Sequence, residues 1–183
     1  MHIGDLITRT PGVHGGRPCI SGTRVPVHDV AGYYREGMTP ERVWEEFPQL
    51  DLADVFAALA CYLANQPEID GYIAADFAAA NAKSKRGYGG RDSGPRVPRS
   101  HDVRDLIDAD PSPSIAGTRI RVRAVAARYN AGVPARELGD HFPGVPLAAI
   151  YGALAHYFAN KAAIDSELAE GDTLYARLAR RAR

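Results

Sequence analysis

The residues whose chemistry could support catalysis lie mainly in one glycine-rich stretch near the start of the sequence. His14 lies five residues before Cys19, and a thiol close to an imidazole base is the pairing found in thiol nucleophiles. The chain contains a second copy of this region, described below, in which both residues are missing. We therefore interpret Cys19 as a small buried apolar side chain rather than as a nucleophile.

Two other patterns that could bind a ligand are weak. The acidic run Glu45-Glu46, followed by Asp51 and Asp54, offers the oxygen ligands that hard cations prefer, but such runs typically form a solvated helix face. Gly15-Gly16 lacks the lysine and the helix start of a phosphate-binding loop. The two cysteines have no C-x-x-C spacing, which argues against a zinc site or a disulfide scaffold. The sequence thus predicts no metal, no cofactor and no enzymatic activity.

Arginines recur around the two copies of this region. Arg24 and Arg119 occupy the same position in both, which predicts that each clamps a local carboxylate or carbonyl groups, with Asp70 and Asp165 as candidate partners. A wider group of arginines is a candidate phosphate-binding surface for DNA, although a solvated face explains it equally well. That group consists of Arg24, Arg35, Arg119, Arg121, Arg123 and Arg128.

An internal repeat organises the whole chain. Residues 20–70 and 115–165 align without a gap at a shift of 95, and 21 of the 51 aligned positions are identical. Each unit has about 65 residues, which is marginal for a separate domain, so we expect the two units to pack on each other. The predicted segments are a first repeat (1–72), a helical then basic linker (73–104), a degenerate second repeat (105–165) and a basic carboxy-terminal helix (166–183).

Each repeat has the sequence pattern of a short β-hairpin followed by three helices. In the first repeat, Ser-Gly-Thr at 21–23 predicts the turn of a hairpin whose second strand includes Val25 and Val27. Apolar residues from Val27 to Tyr34 then recur at helical spacing, and Thr39-Pro40 is typical of a helix start. Asp51 caps a third helix over roughly 52–65, and the last two helices have helix-turn-helix spacing. The predicted fold is mostly α, with a short hairpin and a helix-turn-helix in each repeat, and the two repeats are packed as a pseudo-dimer; the family resemblance given below implies that each repeat is homeodomain-like.

The third helix of each repeat is an unusual candidate for reading DNA bases. Its polar face carries small, neutral or acidic groups, such as Ala53, Asp54 and Ala57 in the first repeat and Gly152 in the second. Direct readout requires side chains such as Arg, Asn or Gln. We therefore expect helices 52–65 and 147–160 to pack against each other, with base reading as the less favoured alternative.

Charge and hydropathy limit the class of protein further. The chain has 22 basic and 22 acidic residues, but the first repeat is acidic and the linker is basic. The start of the sequence has no apolar signal core, and no apolar run is long enough to span a membrane. These features predict a soluble, cytoplasmic protein that does not bind membranes.

The motifs of the first repeat resemble a known bacterial family. The stretches G-R-P-C-I-S-G-T-R-V-P-V, F-P-Q-L and A-A-L-A-C-Y are similar to those of the domain of unknown function 433 family, whose members are VapB-type antitoxin-like proteins. The resemblance covers residues 5–70 well and 105–165 more weakly. It implies an antitoxin that binds and inhibits a PIN-type ribonuclease toxin and also binds its own operator DNA. Two alternative functions are a DNA-binding regulator without a toxin partner and a structural adaptor. The sequence does not determine whether the chain forms further homo-oligomers.

A PIN-type nuclease holds Mg²⁺ with carboxylates, so its neutraliser needs a cationic segment that can enter a negative cleft. Two segments fit this description: the linker, led by an alanine-rich helix, and the carboxy-terminal tail. We favour the linker, although it could also simply connect the repeats. The candidate toxin-binding residues are Tyr72, Ile73, Phe77, Lys83, Lys85, Arg86 and Arg91 in the linker region, and Arg177, Arg180 and Arg181 in the tail.

Overall fold

The computed structural model describes residues 1–83, 102–108 and 112–170, with side chains described up to Ala80 in the first of these ranges. Each repeat consists of a two-stranded hairpin and a set of helices, which confirms the mostly α prediction. The strands are β1 (Ile7–Thr8), β2 (Cys19–Ile20), β3 (Ile107–Asp108) and β4 (Ser114–Ile115). The helices are α1 (Val27–Arg35), α2 (Pro40–Glu46), α3 (Leu52–Ala64), α4 (Gln66–Lys83), α5 (Val122–Asn130), α6 (Leu138–His141), α7 (Leu147–Ala159) and α8 (residues 161–170).

The hairpins pair differently from the prediction. Strand β2 pairs antiparallel with β1, with Ile7 opposite Ile20, and β4 pairs with β3 in the same way. The predicted second strand of the first hairpin contributes only an isolated bridge between Cys19 and Pro26, and Val27 is already the first residue of α1. Pro26 has no N–H group, so this segment cannot continue a ladder of backbone hydrogen bonds.

The Gly-Thr pair of each repeat closes the turn after the second strand. Gly22 has a φ of 71° and Gly117 a φ of 69°, a region that side chains with a Cβ rarely occupy. The Thr23 hydroxyl donates to the carbonyl of Ile20 at 2.9 Å and accepts from the N–H of Val25 at 3.1 Å. Thr118 makes the equivalent two bonds. The repetition of this dipeptide in the sequence therefore reflects one turn geometry used twice.

Two of the predicted helix starts are confirmed in the first repeat. The Thr39 side chain accepts from the N–H of Arg42, and Pro40 is the first residue of α2. Asp51 and Asp54 form a reciprocal capping box at the start of α3. The equivalent helix α7 begins after Pro146 and has no side-chain cap. The second repeat has thus lost local signals that the first retains.

Helices α3 and α7 form the centre of the molecule and pack against each other, as the small residues on their surfaces predicted. Ala57 is fully buried, and Gly152 is buried at the matching position of α7. A Cβ on Gly152 would lie 3.3 Å from side-chain atoms of Ile3 and Leu106, which precede the two hairpins. The interface between the repeats therefore continues into a hydrophobic core that the described parts of both repeats share. Base reading by these helices is incompatible with this burial.

An aromatic cluster lies where the two central helices cross. Phe56 stacks parallel to Phe158 with ring centroids 5.7 Å apart, and it meets Tyr151 edge to face at 5.5 Å. The hydroxyls of Tyr34 and Tyr151 lie 3.1 Å apart, so a tyrosine of α1 bonds directly to the opposite repeat. Edge-to-face aromatic pairs add to the stability that apolar burial alone provides.

Helix α4 is longer than the sequence predicted and runs without a break from Gln66 to Lys83. Pro67 lies in its first turn, where a missing N–H is tolerated. Only the early part of the helix packs on the body: Ile69 is fully buried, whereas residues 74–80 are exposed. The predicted boundary between residues 72 and 73 falls within this helix. Its second half projects past the core and is available for other contacts.

Candidate partner-binding surface

An apolar groove of about 490 Å³ lies between α1 and α4. One part of its wall is aromatic and aliphatic and consists of Tyr33, Phe47, Ile73 and Phe77. Tyr33 and Phe47 meet edge to face at 5.5 Å and form the floor. Phe77 is 71% exposed, which makes it the most exposed large apolar side chain among the described residues. An exposed aromatic beside an apolar hollow is typical of a protein-binding surface.

Three carboxylates border this groove. Asp29 and Glu36 lie on α1, seven residues apart and therefore on one face of the helix, and Asp76 lies on α4. A smaller hollow of about 370 Å³ adjoins it and shares His28, Asp29 and Asp76. The combined surface is an apolar groove with an acidic rim, here called the acidic groove.

A network of charged side chains links the second half of α4 to the body of the first repeat and so helps to hold one wall of the acidic groove. Arg17 donates through one guanidinium nitrogen to both carboxylate oxygens of Asp76, at 2.8 and 2.6 Å, and its guanidinium lies 4.8 Å from the centre of the Tyr72 ring. Burial alone would raise the pKa of Asp76, but the hydrogen bonds and charge of Arg17, helped by His28, outweigh it and lower that pKa. The carboxylate therefore stays ionised.

His28 completes this network from the first turn of α1. Its side chain is buried, its Nε2 lies 2.8 Å from a carboxylate oxygen of Asp76, and its Nδ1 has no partner among the described residues. Burial lowers the pKa of His28, and this effect exceeds the opposing attraction of Asp29 and Asp76. The geometry assigns the proton of the neutral ring to Nε2, because Asp76 can only accept there.

Two further ion pairs hold the first half of α4. Arg9 of the segment after β1 binds Glu68 with two nitrogens, at 2.6 and 3.0 Å, and Glu68 also accepts from the Tyr72 hydroxyl at 2.8 Å. Arg35 lies 3.3 Å from Asp70. Three acidic residues of α4 are therefore each paired with an arginine of the first repeat, although these pairs are partly solvent-exposed and individually weak.

The second repeat folds without any of this chemistry. The residues aligned with Arg17, His28 and Asp29 are Ser112, Arg123 and Ala124. In place of the Tyr33–Phe47 pair, Arg128 lies 5.6 Å from the ring of Phe142. Since the second repeat builds the same helices, the acidic groove is not a requirement of the fold. It is a specialised feature of the first repeat.

The predicted pairing of Arg24 with Asp70 and of Arg119 with Asp165 is wrong. Asp70 pairs with Arg35, and Asp165 pairs with Lys161 and accepts from the Tyr157 hydroxyl at 2.8 Å. Arg24 and Arg119 follow the turn glycines and are exposed. The turn itself directs these side chains outward, away from the start of the helix that carries the acid.

The candidate DNA-binding arginines lie at the surface. Arg119, Arg121, Arg123 and Arg128 are all exposed, and helix α5 contains no acidic residue. Arg121 donates to the Ser112 hydroxyl at 3.3 Å, and Arg128 lies 3.2 Å from a ring nitrogen of His141. In the first repeat, Arg35 is engaged in its ion pair. The exposed face of α5 is therefore basic, whereas α1 carries Asp29 at the position of Ala124.

The candidate toxin-binding residues are only partly within the described structure. Tyr72 and Ile73 are half-buried on α4, with Ile73 and the exposed Phe77 lining the acidic groove. The backbone of Lys83 ends α4, and its side chain lies outside the described residues. The others also lie outside them: Lys85, Arg86, Arg91, Arg177, Arg180 and Arg181.

Sequence reasoning missed Arg17, His28 and Asp76 as a group. They come from three separate segments and meet only because α4 folds back onto α1. A signal was nevertheless present for two of them, since Arg17 and His28 align with Ser112 and Arg123 in the second repeat. Within residues 1–83, 102–108 and 112–170, no cluster of three His, Cys, Asp or Glu side chains could hold a metal ion. No helix in these ranges is long and apolar enough to cross a bilayer.

Comparison with known proteins places the chain in a family. The model of the family "Protein of unknown function (DUF433)" matches residues 7–62 and again 112–157, which together make up more than half of the chain. The chain belongs to this family and contains two copies of its domain. The double match confirms the tandem duplication.

Two relatives show how far the similarity extends. The uncharacterized protein y4eO of Sinorhizobium fredii is 41% identical over 58 residues, which cover 29% of this chain and 26% of that protein. The chain therefore spans about a quarter of the length of that relative. The crystal structure of a DUF433 member from Anabaena variabilis is 36% identical, covers 38% of this chain and 69% of its own, and superposes with a TM-score of 0.36.

Proposed function

We propose that this protein is the antitoxin of a bacterial type II toxin–antitoxin pair, which binds and inhibits a PIN-type ribonuclease and has no enzymatic activity of its own. The observation that supports this proposal is the exposed Phe77 above the apolar floor of the acidic groove. Large exposed aromatics of this kind act as anchors in protein–protein interfaces. The proposal also rests on the family resemblance of the hairpin and helix motifs.

The position of Phe77 suits a two-part mechanism of inhibition. Helix α4 ends at Lys83, and the sequence that follows contains Lys85, Arg86 and Arg91. Phe77 would bind an apolar part of the nuclease, and the basic residues would pair with the carboxylates that hold Mg²⁺ in its cleft. Anchoring raises the effective concentration of the cationic segment at that cleft. Neither part requires a chemical step by this protein.

The test is co-expression of the chain with the protein encoded by the neighbouring gene, followed by pull-down and an RNA-cleavage assay, in which the proposal requires that protein to be a PIN-type nuclease. We expect a stable complex with suppressed cleavage. The variant Phe77→Ala should weaken the complex by about tenfold or more, as expected for loss of an aromatic anchor. Replacing Lys83, Lys85, Arg86 and Arg91 with serine should restore cleavage while retaining part of the binding.

Matched controls separate these roles from general effects. Val13→Ala removes another exposed apolar side chain, 40% exposed and outside the groove, and should leave binding unchanged. Replacing the four exposed arginines of the α5 face with serine removes the same number of charges as the linker variant. If the chain neither binds nor inhibits the neighbouring nuclease, the antitoxin proposal is wrong.

A second candidate function is regulation by operator binding, as antitoxin or as a free-standing regulator. The favouring observation is the basic face formed by Arg119, Arg121, Arg123 and Arg128, with no acidic residue on α5. Such a face suits contacts to phosphates, which supply affinity but not sequence reading. The burial of α3 and α7 supports this face over the third helices as the candidate for a DNA contact.

A further inference from the structure

We propose that the acidic groove binds the basic carboxy-terminal segment of the same chain, residues 171–183. This intramolecular contact would cover Phe77 in the free protein, and a partner that binds Phe77 would have to displace the segment. The inference concerns regulation of the surface used in the proposed function, but it can be tested without any nuclease.

The first argument is charge complementarity. Asp29 and Glu36 project from α1 on the rim of the groove, and Asp29 is half-exposed although it lies 3.7 Å from the His28 ring. Asp76 is already paired with Arg17 and His28, so the first two carboxylates remain for an incoming cation. The segment 171–183 contains one acidic residue and four arginines, namely Arg177, Arg180, Arg181 and Arg183. Arginine is the side chain best suited to bind carboxylates in pairs of hydrogen bonds.

The second argument is the match of apolar groups. The groove has an aromatic and aliphatic wall that no described residue covers, and Phe77 stands above it. The segment contains Leu174, Tyr175 and Leu178 among its arginines. Burying one such side chain generally contributes more to affinity than an exposed ion pair does. Apolar contact would thus supply the affinity, and the arginines would set the orientation of the segment in the groove.

The third argument is specificity for the first repeat. The aligned surface of the second repeat has Arg123, Ala124 and Arg128 where the groove has His28, Asp29 and Tyr33. A basic segment would be repelled there, although that surface is closer in sequence to the segment. Of the two equivalent surfaces, only the one on the first repeat has the complementary charge.

The fourth argument concerns reach and concentration. Thirteen residues in extended form span up to about 45 Å, whereas a compact chain of this length has a radius of gyration of about 16 Å. The segment can therefore reach faces of its own molecule well beyond the end of α8. A tethered segment has an effective concentration in the millimolar range, well above that of a second copy at ordinary protein concentrations. This favours binding within one chain.

The test is hydrogen exchange of the full chain, read by mass spectrometry on peptides from residues 171–183 and from α4. We expect the segment to be protected in the unmodified protein. The double variant Asp29→Asn with Glu36→Gln should reduce this protection by about five- to tenfold, as should Phe77→Ser. Because all three side chains are exposed, these changes should leave the exchange of α3 and α7 unaltered.

The matched control is the double variant Glu137→Gln with Asp140→Asn, which removes two exposed carboxylates of the second repeat and should leave the segment protected. Free exchange of residues 171–183 in the unmodified chain would overturn the proposal. So would protection that the groove variants do not change. Protection that rises with protein concentration between about 1 and 100 μM would assign the groove to a second copy and overturn the intramolecular form.

Discussion

Glu41 and Arg136 occupy the same position in the two repeats, and each contacts the tyrosine at the end of the opposite repeat's first helix. The Tyr129 hydroxyl donates to Glu41 at 2.6 Å, and burial together with this bond raises the pKa of Tyr129. The Arg136 guanidinium lies 4.2 Å from the centre of the Tyr34 ring. The same site thus carries opposite charges in the two halves of one interface, which makes each repeat complementary to the other rather than to itself.

Arg136 should be the more important of the two residues for stability. One of its nitrogens donates to the carbonyls of Tyr34 and Met38, at 2.9 and 2.8 Å, at the end of α1. We predict that Arg136→Ala lowers the free energy of unfolding by about 1–3 kcal/mol, since it removes two charge-assisted bonds and a cation–π contact. Chemical denaturation measures this. Arg123→Ala, an exposed arginine on α5, should change stability by less than about 0.5 kcal/mol.

The central helix pair should tolerate little change in volume. Leu59 and Leu154 are fully buried at matching positions of α3 and α7. Either leucine changed to alanine should cost about 2–5 kcal/mol. Gly152→Leu should disrupt the packing of the repeats, because even a Cβ there lies 3.3 Å from Ile3 and Leu106. The control Ala127→Leu alters an exposed position of α5. Equal stability of the two leucine insertions would contradict the packing described here.

Stability should fall in mild acid because of a buried histidine in α7. The His156 side chain is 6% exposed, and burial, assisted by the amino-terminal charge and His2, lowers its pKa from 6.5 to about 4. Between these two values the unfolded chain binds more protons, so the free energy of unfolding decreases as the pH falls from 6.5 to 4. The loss from this group should reach up to about 3 kcal/mol. Denaturation midpoints of His156→Leu, measured across this range, should depend less on pH.

The ion pair of Arg17 with Asp76 should control the mobility of α4 more than global stability. Arg17→Met retains an apolar side chain beside Tyr72 but removes the bonds to Asp76. We predict faster hydrogen exchange in the second half of α4, with the unfolding free energy lowered by no more than about 1 kcal/mol. Arg42→Met, which breaks the exposed pair with Glu45 on α2, is the control. Unchanged exchange in α4 would show that this pair does not position the groove wall.

Binding of operator DNA, if the second function holds, should depend on the α5 face. Changing Arg121 and Arg123 to alanine should weaken binding and reduce its dependence on salt, because each lost phosphate contact lowers the number of released counterions. Gel-shift titrations at several salt concentrations measure both effects. Arg24→Ala, an exposed arginine of the first repeat, provides the comparison. Loss of binding on mild substitution at Ala53 or Ala148 instead would point back to the third helices.

The sequence by itself determined the duplication, the helices and the central packing. The gap-free repeat predicts two units of the same fold. The Gly-Thr pair predicts the same turn in both units, and the row of small residues on the third helix predicts close helix packing, because turn geometry and close helix approach permit few residue types. These features are local or periodic, so they can be read along the chain. The burial of Ala57 and Gly152 followed from the same pattern.

Only the tertiary structure decided which polar side chains meet. Asp70 pairs with Arg35 rather than Arg24, and Arg17, His28 and Asp76 come together although nothing in their spacing relates them. Ion pairs between distant segments depend on how α4 folds back on α1, and that arrangement follows from the burial of Ile69 and its apolar neighbours rather than from charge. The acidic groove is a consequence of the same packing. Its residues are visible in the sequence, but their proximity is set by the core beneath them.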